Sequence, residues 1–105
     1  NAVADIYVDD SIYNYVAMIA SKTRSRDGIV QGVSPRGSIA AIAMAKAEAF
    51  LRGNTYVLPS DIKNIAVETF AHRIVTNVNG AAGTEAARKE ITEILRNVPV
   101  PEMNK

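Results

Sequence analysis

Apolar residues recur along this chain at helical spacing, in runs separated by short polar or glycine-containing breaks. Ile12, Tyr15, Val16 and Ile19 fall at i, i+3, i+4 and i+7, one face of a helix. Asp9, Asp10 or Ser11 can cap that helix. Lys22, Arg24 and Arg26 gather at its far end, where cations suit the dipole. The spacing predicts a first helix over about Ser11 to Arg24, followed by the Asp27-Gly28 turn signal. Before it, Val3 to Val8 carries an Ile6/Val8 alternation that reads as extended. After it, Ile29 to Val33 reads as a brief connector broken by Gly32.

The second and longest helix is expected from Pro35 to about Arg52. Ser34 is its N-cap and Pro35 sits at the first helical position, where a missing N–H costs nothing. Alanines thin this helix on several faces, while Ile39, Ile42 and Phe50 supply bulk. So few charges predict packing on more than one side. Gly53 is a plausible left-handed cap. A third helix is predicted from Pro59 to Arg73, with apolar spacing at Ile62, Ile65, Ala66 and Phe70. Leu58 is a poor cap for it, and Ser60 and Asp61 in the first turn compensate in part. Ile74 to Gly83 reads as a loop. Thr84 is the expected cap of a fourth helix striped with Ala87, Ile91, Ile94, Leu95 and Val98 and ended by Pro99 and Pro101. The expected fold is all-α, a small four-helix bundle with little or no strand. It makes one domain over 1–105, with 102–105 a disordered tail.

Composition narrows what such a bundle can do. With 105 residues and no cysteine, the chain has neither a disulfide framework nor a thiolate metal site. Lys and Arg total 12 against 11 acids, a balance without the electrostatic footprint of a nucleic-acid or anionic-membrane binder. No apolar run approaches the ~20 residues of a membrane span, and no signal peptide is visible. Asn1 and Ala2 carry no weight, since tag remnants look the same.

One residue is out of place. Arg36 puts a cation in the first turn of the long helix, at the positive end of its dipole, where it costs about 0.3–1 kcal/mol. A helix start facing an anion would justify it, because helix N-termini bind phosphate. A solvated arginine is equally consistent with the local physics. Elsewhere the chemistry is sparse. His72 is a single histidine at a helix end, read as meeting terminal carbonyls rather than a metal. Tyr7, Tyr13, Tyr15 and Tyr56 read as core or half-buried packing. The cluster of Lys22, Arg24 and Arg26 reads as a solvated helix end. No carboxylate pair stands ready for acid–base work. No GxxxxGK[ST] loop is present, so a self-sufficient enzyme is not expected.

The run Gly32-Val33-Ser34-Pro35-Arg36-Gly37-Ser38 is followed by Ala45-Lys46-Ala47 and Ala49-Phe50-Leu51-Arg52-Gly53. Together they resemble the C-terminal lid of MoxR-type AAA+ ATPases. Tyr56-Val57-Leu58-Pro59-Ser60-Asp61-Ile62 and His72-Arg73-Ile74 share the likeness, as do Val8 to Tyr15, Thr23-Arg24 and the stretch from Ile94 to Pro101. The resemblance implies that Arg36 is the sensor-2 residue that approaches the nucleotide's phosphates, with Ser34 and Pro35 shaping the helix start. It also implies ATP and Mg as cofactors, bound mainly by a preceding α/β domain that carries the Walker motifs and the arginine finger. The implied partners are that N-terminal AAA+ core, a homo-oligomeric ring and a von Willebrand factor A domain protein. Nucleic acid and membrane insertion are not implied. The implied role is chaperone-like remodelling in the cytoplasm, with residues 3–9 as the hinge. Gly37, where the family usually has Ala, and Leu58, where it often has Thr, depart from the pattern. Two other readings remain on the residues alone: a helix-turn-helix DNA binder, poorly served by Arg36, Lys46 and Arg52 on the second helix and Lys63 and Arg73 on the third, and a helical protein-interaction module.

Overall fold

The computed structural model describes residues 2–78 and 80–102. The part of the expected tail beyond 102 lies outside the described residues. The element order is α1 (Asp10–Thr23), β1 (Ile29–Gln31), α2 (Pro35–Leu51), α3 (Pro59–Ala71), β2 (Val75–Thr76) and α4 (Ala81–Asn97). The molecule measures 40 × 25 × 20 Å. The all-α expectation holds, with one small addition. β1 and β2 pair antiparallel, with Ile29 opposite Thr76 and Gln31 opposite Val75 and an irregularity between them. The expected connector at Ile29–Val33 and the start of the expected loop at Ile74 are therefore the two halves of a ribbon.

Local chemistry sets most boundaries. Asp9 caps α1, accepting the Ser11 N–H at 2.9 Å and the Ser11 hydroxyl at 2.7 Å. These bonds to the charged form hold its carboxyl below the usual range. Ser34 caps α2 by accepting the Gly37 N–H at 3.3 Å, and Gly53, at φ +80°, lies just past the far end. Leu58 offers α3 no side-chain bond. Asp61 repairs the start instead, its Oδ2 accepting the Leu58 N–H at 2.8 Å from a fully buried position. The other carboxylate oxygen lies 3.6 Å from Arg52, which draws the end of α2 to the start of α3. Before α1, only the end of the expected extended segment is extended. Residues 2–5 make turns, with the Ile6 N–H donating to the Val3 carbonyl at 3.1 Å. Tyr7 forms a parallel bridge with Tyr56, where the Thr55 and Tyr7 carbonyls accept from the Tyr7 and Val57 N–H groups.

Three expectations require correction. The fourth helix begins at Ala81, not at a Thr84 cap; its N-cap is Gly80, without a side-chain bond. Alanine is the strongest helix former, so Ala81 and Ala82 extend the helix backward. The bulk of α2 also points the other way. Its buried file is Gly37, Ala41, Ala45 and Ala49, whereas Ile39 is 70% exposed and Phe50 and Leu51 are exposed with it. Ile42 is only partly buried, beside α1. Large core residues come instead from the other helices: Ile12 and Ile19 from α1, Ile62 and Phe70 from α3, Ile91 and Ile94 from α4. Of the tyrosines, Tyr15 is core, whereas Tyr7 and Tyr13 are exposed.

Candidate functional site: the head of α2

The candidate site is the first turn of α2. Its opening N–H groups lack helical partners, and no acidic residue occupies that turn. Arg36 lies in it and is exposed. Among the described residues its side chain takes part in no hydrogen bond or ion pair. A cation at the positive end of a helix, unpaired and solvent-facing, suits an incoming anion. Ser34 and Pro35 do what the sequence assigns them. One caps the turn and the other occupies its first helical position.

Gly37 explains its own departure from alanine. A Cβ there would stand 2.7 Å from Val33 Cγ1 and 3.1 Å from Arg73 Cδ. The side-chain stem of Arg73, just past the end of α3, therefore crosses the first turn of α2, close to Arg36 in the chain. His72 does not meet terminal carbonyls as expected. Its Nε2 lies 3.8 Å from the Glu68 carboxylate one turn back. Glu68 also accepts two bonds from Arg88, which hold its carboxyl below the usual range and tie α3 to α4.

The basic end of α1 is not simply solvated. Arg26 pairs with Glu90 of α4 at 2.6 Å, and Arg24 Nε donates to the Val33 carbonyl at 3.2 Å. Thr23, not singled out from the sequence, accepts the Val33 N–H at 2.9 Å. A signal for it existed: Thr23 continues the apolar face of Ile12, Val16 and Ile19, and a buried hydroxyl needs a partner. Beside the site, an apolar groove of about 590 Å³ runs between α1 and α2, lined by Tyr13, Val16, Ile39 and Ile42 among others. No described helix is long and apolar enough to cross a membrane.

The sequence pattern of the AAA lid domain family matches residues 21–95. The chain is 38% identical over 99 residues to the uncharacterized protein YeaC of Bacillus subtilis, covering 94% of this chain and 31% of that one. It is 27% identical over 110 residues to Chaperone MoxR1 of Mycobacterium tuberculosis, covering 96% of this chain and 29% of that one. A crystal structure of a candidate ATPase from Cytophaga hutchinsonii superposes with a TM-score of 0.85 at 31% identity, over 97% of this chain and 34% of that one. The chain belongs to the AAA lid domain family, as the C-terminal lid of a MoxR-type AAA+ protein. It spans about a third of the length of the relatives it matches.

Proposed function

We propose that this lid reads nucleotide state in a MoxR-like AAA+ ATPase, with Arg36 as the sensor-2 arginine facing the phosphates of bound ATP. One observation carries the reading: an exposed arginine without a partner among the described residues, in an acid-free first turn at the end of a helix where its charge is otherwise unfavourable. The donors present fit a polyphosphate, since the Arg36 backbone N–H and its planar guanidinium come from one residue, while the Gly37 N–H is taken by Ser34. Among the described residues no group of three or more His, Cys, Asp or Glu could hold a metal. Mg²⁺ accompanying ATP is held, in this reading, by the α/β core that precedes such a lid. In this reading Arg36 neutralises charge that builds on the transferring phosphoryl oxygens. The segment at residues 3–9 lets the lid turn relative to the core, so that nucleotide state is passed on to client proteins. A homo-oligomeric ring, a von Willebrand factor A domain partner and a cytoplasmic setting belong to the same proposal. The MoxR1 relative, named as a chaperone, supports the remodelling role.

The test is Arg36→Ala in the full-length ATPase. Turnover is expected to fall at least about tenfold. Larger losses, up to ~10³–10⁵, are known for arginines that act directly on the transition state. The melting temperature should be unchanged or slightly higher, because a cation leaves the positive end of α2. Arg36→Lys should recover only part of the loss, lacking the planar fork. A variant that melts early yet hydrolyses ATP at the normal rate would make Arg36 a structural residue and end the proposal.

A further inference from the structure

We infer that Thr23 is a positioning residue for Arg36, fixing together with Arg24 the peptide from which α2 is launched. The inference rests on the reading of Arg36 given above. Thr23 is the last residue of α1 and is fully buried. Its hydroxyl donates to the Ala20 carbonyl at 2.5 Å and accepts the Val33 N–H at 2.9 Å. Arg24 Nε donates to the carbonyl of the same Val33 at 3.2 Å. Both backbone polar groups of one buried residue are thus taken by the last residue of α1 and the C-cap residue that follows it.

Little freedom remains between that clamp and the arginine. Ser34 is extended at φ −78° and ψ 165°, the conformation its following proline favours, and its side chain is committed to the Gly37 N–H. Pro35 has its φ fixed by its ring. Arg36 comes next, already in the helix. The Cα of Arg36 is therefore set by α1, and only its own side chain is left to move.

The preceding residue shows how closely the two segments meet. A Cβ on Gly32 would stand 2.8 Å from Thr23 Oγ1 and 2.9 Å from both the Cγ and the backbone N of Arg24. Any larger residue would push the segment off the end of α1. A hydroxyl that merely satisfied a buried N–H would stabilise the lid whatever residue stood at 36. A hydroxyl that positions Arg36 matters to turnover only while the arginine is there, because displacing a reacting-site group by ~1 Å can cost ~10²-fold in rate.

The experiment measures kcat and KM for MgATP in the full-length ATPase. The variants are Thr23→Val, which keeps the shape and loses the hydroxyl, Thr23→Ser, which keeps the hydroxyl, and Arg24→Met, each alone and combined with Arg36→Ala. Thr23→Val should lower kcat about tenfold, and Thr23→Ser should stay within about twofold of the parent. On the Arg36→Ala background Thr23→Val should cause no further loss. An equal loss on both backgrounds would reduce Thr23 to a structural group and overturn the inference. Normal kcat for Thr23→Val beside an impaired Arg36→Ala would also overturn it, while leaving the role of Arg36 intact. Normal kcat for Arg36→Ala would remove that role and the inference with it. If Thr23→Val does not fold, Arg24→Met, at an exposed position, carries the same comparison. Its loss of kcat should be present with Arg36 and absent without it, and a normal kcat would overturn the inference.

Discussion

α2 and α4 are each 17 residues long, yet they bury opposite kinds of side chain. α4 turns Ala87, Ile91 and Ile94 inward, with Leu95 partly buried beside them, and carries its charged residues on the other side. α2 turns Gly37, Ala41, Ala45 and Ala49 inward and leaves Ile39, Met44, Phe50 and Leu51 exposed. The first is held by the volume it contributes to the core. The second is held by how closely its backbone can approach α3, since the distance between packed helices follows the size of the side chains at the contact. The difference teaches that a long helix rich in apolar residues need not be the one that fills the core. The thin side of α2 serves packing, and the site sits at its head.

Three substitutions bear on that contrast. Ile91→Ala should have the largest effect, a loss of about 2–5 kcal/mol read from a denaturant titration of the 105-residue chain, because a fully buried isoleucine leaves a cavity. Ala45→Leu should follow, costing about 1–3 kcal/mol by overpacking a fully buried position on the thin face. A stability equal to the parent's would mean that α2 and α3 have room to spare. Ile39→Ser should change stability by less than ~0.5 kcal/mol despite removing a large apolar side chain, as its exposure requires. A loss as large as that of Ile91→Ala would erase the distinction between the two helices.

The helices were legible because their signals are local. Ser34-Pro35 and Pro59 mark starts, and Ile62, Ile65, Ala66 and Phe70 repeat with the helical period. The ribbon was not, since strands of two and three residues far apart in sequence carry no period of their own. The orientation of α2 was hidden for a different reason. Alanine on most faces leaves no contrast, so the residues that supply bulk, Ile39 and Phe50, do not mark the buried face. At the site, Arg36 stood out because one helix rule identifies it as misplaced. Thr23 did not, because its role depends on Val33, which reaches it only after the chain has turned back through Gly32. Gly37 was legible as a departure, but its causes, the close approach of Val33 Cγ1 and the crossing of Arg73, appear only in the folded chain.

The ribbon has a consequence for the order in which the chain assembles. It joins the segment before α2 to the segment after α3, so it ties together the two ends of a helical hairpin. α2 and α3 follow one another in sequence and pack together, so their contacts require only a short loop to close. Once they meet, Ile29 and Thr76 are already near, and most of the entropy cost of closing that long loop, which grows as ~(3/2)RT ln n, has been met. The ribbon then acts as a latch on a preformed hairpin. The contacts between α1 and α4 span most of the chain, so they are expected to close last.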